Sequence, residues 1–375
     1  MEKLTHNQRW LNTVNRKGID RLPTFYSATE EFTNSLKEFS GLELDKILYD
    51  YFDIDYRFQN DGFEAKTWEP LYKGPELKKF EDGTFENIWG SRQRYAFYGK
   101  GKYTETVEFA LGKIKTVEEV EKHRWPSADW YDYESILPAI KEFPNYPFMA
   151  GYLAPGWFAW EVRGMSQFMI DCLENRAVAG AILDKICDFG YEYFKRIIFT
   201  VRDYIGKNVH CIHLADDWGT QQGLLMNPSV FDDFFARHYR RIIDLAHSAG
   251  LKVEFHSCGS AIKIFPRFIE VGVDIMNPIQ TSAKDMDPVK IKKEYGKDLA
   301  FSGGIDVQQV LPKASAAEVK KEVYRVIDAM GQGGGYFPGP SHNIQAGTPV
   351  ENVIAMYEAI HEYFGMKISL PKKSQ

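Results

Sequence analysis

The chain has 375 residues, with 46 basic against 52 acidic side chains spread along its length and a formal charge of −6. That balance excludes nucleic acid as the main partner, because phosphate binding wants a basic face. Its 44% hydrophobic and 15% aromatic content excludes disorder and supplies core enough for one large α/β domain or two medium ones. Four cysteines without a disulfide-framework spacing, and an opening M-E-K-L-T-H-N-Q-R-W without the apolar run of a signal peptide, point to a reducing cytoplasm. No stretch reads as long enough to span a bilayer.

Residues 1–20 read as a short helix ending near Gly18, 24–27 as a first strand, 33–60 as helix and 55–58 as a second short strand. The region 61–110 is polar, Gly-dotted and aromatic, and is too short to bury a core of its own. It reads as a β-hairpin or lid inserted into a single domain spanning 1–375. Thr116 to Glu119 forms a capping box, and 133–142 continues as helix. Next come a strand at 147–152, helices at 161–175 and 177–205, and a strand at 209–214. A helix opens at Asn227-Pro228, with Pro at its first position, and stops at Gly250. Strands follow at 252–258, 273–279, 299–303 and 335–337. Helices lie at 261–270, from the capping box Ser315 to Glu318, and at 349–364, and the middle one carries an apolar stripe of Val319, Val323, Val326, Ile327 and Met330.

Strand centres at Thr24, Tyr56, Phe148, Cys211, Phe255, Ile275, Phe301 and Tyr336 alternate with helices. This is the order of an α/β chain folded as a (β/α)8 TIM barrel. A doubly wound sheet is the rival, weakened because no strand–helix turn carries G-x-G-x-x-G or a P-loop.

The stretch 252–260, K-V-E-F-H-S-C-G-S, carries the sharpest chemistry. Alternation along a strand puts Glu254, His256 and Cys258 on one face and Val253 and Phe255 on the other. An imidazole and a thiol at that spacing can grip one borderline cation, Zn²⁺ first. They also suit a buried histidine beside an inert cysteine. A barrel would bring Asp216/Asp217, His256/Cys258, Asn277/Gln280 and Ser341/His342 to one mouth. The third ligand would then be His342 or an acidic residue, with Glu254 orienting His256 from one pleat lower. Blander readings stand beside these. Asp216-Asp217 equally suits a turn cap, His342 a bond to a loop carbonyl, and Asn277-Pro278 a strand-ending turn. Trp157 and Trp160 suit either a core cluster or a wall for an aromatic substrate.

Taken together, Asp20-Arg21-Leu22-Pro23, Ala154-Pro155, the run from Asp216 to Gln221, His256-Ser257-Cys258-Gly259, Gly272 to Asp274, Asn277 to Gln280 and Gly303 to Asp306 resemble the uroporphyrinogen decarboxylase superfamily. The resemblance implies a (β/α)8 barrel with its pocket at the C-terminal mouth. There Asp216, Asp217 and Gln280 would be catalytic, and Tyr26, Trp157, Trp160 and Asn277 would contact substrate. The decarboxylase's Met-Arg-Gln-Ala-Gly run is replaced here by S-A-T-E-E at 27–31, which would repel a polyacid. The methyltransferase branch, whose His-x-Cys pair ligates zinc, matches better. Its thiol-methylating members add a late cysteine, where this chain has Ser341-His342. The best likeness is to the demethylating component of corrinoid-dependent O-demethylases. That likeness implies a small methyl donor, best a methoxylated aromatic compound, with Zn held by His256, Cys258 and His342. No Asp-x-His-x-x-Gly signature is present, so the corrinoid (cobalamin) would arrive on a separate corrinoid-binding protein. A homodimer, and the decarboxylase or thiol-methylating alternatives, stay open.

Overall fold

The computed structural model describes residues 3–57, 67–98 and 101–372. Among them are twelve strands: β1 (Thr67–Trp68), β2 (Leu71–Tyr72), β3 (Phe85–Glu86), β4 (Arg92–Tyr98), β5 (Gly101–Glu108), β6 (Tyr131–Asp132), β7 (Phe148–Leu153), β8 (Val209–Ala215), β9 (Lys252–His256), β10 (Ile275–Ile279), β11 (Ala300–Ile305) and β12 (Tyr336–Pro340). A parallel sheet runs in the order β1-β7-β8-β9-β10-β11-β12. From β7 onward its strands are almost wholly buried, as expected when helices cover the outer side.

The expected first two strands are extended but lack regular ladders. Ile344 bridges Ala28 in parallel, donating to the Ser27 carbonyl and accepting from the Thr29 N–H, each at 2.9 Å. The Asp55 N–H donates to the Thr24 carbonyl at 3.0 Å. In return the Asp55 carboxylate accepts from the Thr24 N–H at 2.7 Å, so a side chain takes the place of a strand carbonyl. Position 58 lies outside the described residues. With the sheet, these segments supply the staves of a (β/α)8 fold, without a regular ladder that closes it among the described residues. Phe25, Tyr56, Met149, Cys211, Ile275, Ala300 and Phe337 each come from a different stave and meet in one buried cluster. Trp10 and Val14, from the helix His6–Val14, plug the base of that cluster.

Around the plug lies a buried ionic network. Asp55, fully buried, accepts from Arg9 Nη1 and Arg21 Nη1 at 2.5 Å each and pairs with His6 Nδ1 at 3.0 Å. Arg9 also grips Asp20 with two bonds of 2.8 Å, and Arg21 reaches Asp53 at 2.9 Å.

The inserted hairpin is present as β4 paired antiparallel with β5, and β3 lies on the other edge of β4; positions 61–66 and 99–100 of the expected excursion lie outside the described residues. Its root is tied to the helix Pro155–Arg163. Ser91 Oγ donates to the Glu161 carbonyl at 2.7 Å, and Gln93 and Asn87 donate to the Glu161 carboxylate at 3.1 and 3.2 Å. At the tip, Tyr98 and Tyr103 stack with ring centroids 5.0 Å apart, and both hydroxyls donate to Gln345 Oε1 at 3.3 Å. Lys102 Nζ lies 3.6 Å from Glu30 Oε2. The hairpin therefore follows the barrel rim from the third stave to the eighth and first.

Both expected capping boxes form, at Thr116/Glu119 and Ser315/Glu318, and the predicted stripe on Ala316–Met330 is buried in full. Ser315→Ala is expected to cost about 1 kcal/mol in denaturant unfolding, because the Glu318 N–H loses its acceptor. The helices Pro155–Arg163, Pro288–Tyr295 and the short Val310–Lys313 were not expected. Pro288–Tyr295 opens on Asp287, whose carboxylate accepts from the Lys290 N–H.

Candidate functional site

The site grows from the ends of β8 and β9. In β9, Val253 and Phe255 pack outward, with Phe255 against Phe268 at 4.4 Å and Tyr239 at 5.1 Å between ring centroids. Glu254 and His256 therefore point into the barrel. Beyond each strand a glycine lets the two loops touch backbone to backbone. Gly259 sits at φ +79°, and a Cβ there would lie 2.7 Å from the Gly219 carbonyl carbon, closer than side chains tolerate. The paired loops are pinned by Ser260 N–H to Thr220 O at 2.7 Å and Trp218 N–H to Ser257 Oγ at 2.9 Å. Cys258 N–H to Asp217 Oδ1 at 3.1 Å completes the clasp.

This contact assembles Asp217, His256 and Cys258, all half-buried, with one ligand atom from each lying within 4.8 Å of the others. His256 Nε2 is 3.9 Å from Asp217 Oδ1. His342 stands next to the group, its ring centroid 5.9 Å from that of His256, but the third member is the carboxylate of Asp217. Burial pushes the Cys258 thiol well above its ordinary range, and the Asp217 charge adds to that. Without a cation the sulfur keeps its proton; a thiolate here needs a positive partner. One nitrogen, one sulfur and one carboxylate oxygen suit Zn²⁺.

The two adjacent aspartates part company. Asp216 is buried and caps the helix Pro155–Arg163, accepting from the Gly156 and Trp157 N–H groups at 2.8 and 2.7 Å and from the Tyr239 hydroxyl. Burial raises its pKa to about 7. Asp216 thus caps a distant helix and not the turn that follows it; of the two aspartates, Asp217 alone reaches the group at the mouth. Gln280 anchors the β9 loop, accepting from the Gly259 N–H at 2.7 Å. Asn277 is 6% exposed and lies between His256 and Ser302. Trp157 is 47% exposed and donates its indole N–H to Glu161 at 3.3 Å, while Trp160 is buried behind it with centroids 6.0 Å apart. Tyr26 is not brought to this cluster. It is wholly buried in the core, its hydroxyl 3.0 Å from Thr33 Oγ1 on the helix Glu30–Ser40.

Glu254 does not orient His256. Register sets it opposite His213 on β8, and its Oε1 lies 3.3 Å from His213 Nδ1; a carboxylate one pleat below His256 reaches sideways more easily than up. Three residues of this region escaped the sequence reading: His213, Ser302 and Glu161. The alternation of β8 gives His213 the same face as Cys211. Glu161 stands one helical turn after Trp157, the spacing of a side-chain pair. Ser302 carries no comparable signal. Burial raises the Glu161 pKa against the bonds from Trp157 and Gln93.

The model of the uroporphyrinogen decarboxylase (URO-D) family matches residues 106–363, more than half of the chain. The chain belongs to the URO-D family. Curated URO-D relatives include uroporphyrinogen decarboxylase of Pseudomonas aeruginosa (strain LESB58), 21% identical over 288 residues, covering 70% of this chain and 74% of the relative. That of Geotalea daltonii is 23% identical over 266 residues, covering 66% and 70%. Among solved structures, a methyltransferase from Methanosarcina mazei shares the fold with a TM-score of 0.68 and 16% identity, covering 96% of this chain and 100% of that one. This URO-D chain is thus built as an enzyme of that superfamily. No helix among its described residues is long and apolar enough to cross a membrane.

Proposed function

We propose that this URO-D chain is a methyltransferase. It moves a methyl group from a small donor, best a methoxylated aromatic compound, to the reduced corrinoid cobalt of a partner protein. The observation that carries the reading is the Asp217/His256/Cys258 group at the ends of β8 and β9. Transfer breaks the methyl C–O bond, its electron pair staying on oxygen, while Co(I) of the partner supplies the pair for the new Co–C bond. The departing oxygen takes up a proton and leaves as a phenol. Asp217, His256 and Cys258 would hold zinc, and when bound it supplies Lewis-acid stabilisation of that oxygen, worth several kcal/mol. Trp157, backed by Trp160, offers an aromatic face to a flat donor. The same reading takes residues 1–375 as one barrel unit working in the cytoplasm, with the hairpin as an inserted rim.

Decarboxylation of a tetrapyrrole is the second reading, favoured by the names of the curated relatives. Glu30 on the rim and Asp217 inside it oppose a substrate bearing many carboxylates. The test mixes zinc-loaded protein, reduced corrinoid carrier and a panel of methyl donors. Methyl–Co(III) absorbance should rise with a methoxyarene, accompanied by one phenol per methyl. Turnover of uroporphyrinogen in the absence of any corrinoid would replace this reading with the second.

A further inference from the structure

At the level of the metal group, β9, β10 and β11 each turn one polar side chain inward: His256, Asn277 and Ser302. Asn277 is the register partner of His256. Its Oδ1 lies 2.8 Å from His256 Nδ1, and its Nδ2 donates to Ser302 Oγ at 3.0 Å. An amide accepts at one end and donates at the other. With Nδ2 engaged by Ser302, the end facing the imidazole is the acceptor, so the hydrogen of the neutral ring sits on Nδ1. The lone pair is then on Nε2, the nitrogen 3.9 Å from Asp217 Oδ1.

We infer that Asn277, backed by Ser302, is a positioning residue that selects the tautomer of His256 and presents Nε2 to the metal, a role that rests on the metal reading of the site. Both ends of its amide are engaged and it is 6% exposed, so substrate contact is not its function. A neutral amide at this place also has an electrostatic consequence. Zn²⁺ with one carboxylate and one thiolate is formally neutral. A carboxylate at 277 would make the imidazole more basic and blunt the Lewis acidity that a leaving oxygen needs. The chain therefore keeps the orienting bond and omits the charge.

Two measurements test this. In metal-free protein with ¹⁵N-labelled imidazoles, long-range ¹H–¹⁵N correlation at mildly alkaline pH should give His256 a protonated Nδ1 and a bare Nε2. Asn277→Leu should shift it to a mixture. Zinc affinity, read by competition with a chromophoric chelator, should fall about 10–100-fold in Asn277→Leu. It should recover in Asn277→Asp, which restores the acceptor. Should the leucine chain fail to fold, Ser302→Ala carries the test, since freeing Nδ2 lets the amide turn and is expected to weaken zinc several-fold. Equal affinity and an unchanged tautomer in these variants overturn the positioning role. A wild-type chain with the expected tautomer that takes up no zinc overturns the metal reading instead.

Discussion

A His256→Ala chain is expected to lose zinc and methyl transfer together while its unfolding free energy stays within about 1–3 kcal/mol of wild type. Removing the imidazole leaves two ligands, one of them a thiol whose proton burial already favours, so the remaining pair holds a cation poorly. The cost to folding stays small because His256 is half-buried at the rim, and its loss leaves one amide oxygen, that of Asn277, without its donor. Elemental analysis should find about one zinc per wild-type chain and far less in His256→Ala or Cys258→Ser. Methyl transfer in the alanine chain should fall below detection by the cobalt spectrum. Undiminished activity there would remove His256 from the chemistry.

Asp55→Asn is expected to destabilise the chain by about 3–5 kcal/mol in denaturant unfolding, the range for a buried ion pair deprived of one partner. Asp55 answers two buried guanidinium groups, His6 and the Thr24 N–H at once. An amide keeps the shape but not the charge, which leaves Arg9 and Arg21 under-compensated. Burial pushes the Asp55 pKa up, yet Arg21, His6 and Arg9 outweigh it and hold it far below the usual carboxylate range. Asp53 is lowered too, His361 and Arg21 overcoming its burial, and so is Asp20, through Arg9. A depressed carboxyl contributes its full stability above the unfolded-state pKa of about 3.9 and loses it as pH falls below that value. Wild-type stability should therefore drop steeply below about pH 4, and Asp55→Asn should show a shallower acid slope. Parallel slopes would mean that the network does not carry the acid sensitivity.

Much of this was legible in the chain, for reasons that can be assigned. Six late strands declared themselves by apolar runs closed by polar turns, because parallel strands covered on both faces leave a strong local signature. Capping boxes at Thr116 and Ser315 were readable because the partners are three residues apart. The first two staves were placed, but not their irregularity, since the bonds joining them run from an Asp55 side chain to a backbone 31 residues away. His256 was found from strand alternation, whereas Cys258, expected on the same strand, lies in the loop past its end at His256. That Asp217 and not His342 completes the trio depends on the contact between Gly219 and Gly259, a long-range event with no local pattern. Glu254 misled because alternation gives the face but not the sideways reach to His213. Asn277 was visible as a polar residue at a strand end; its partners came only with the register.

The clasp between the β8 and β9 loops has a bearing on how such a scaffold can diversify. Two loops that share a glycine-to-glycine contact cannot be varied one at a time, since a side chain at 219 or 259 displaces the opposing loop and parts the ligands together. New substrate preferences are therefore expected to arise across the opening, where Tyr95, Phe97, Tyr98 and Tyr103 stand exposed on a hairpin that, among the described residues, shares no hydrogen bond or ion pair with Asp217, His256 or Cys258. One edge of the mouth is frozen by geometry, and the other is free to explore.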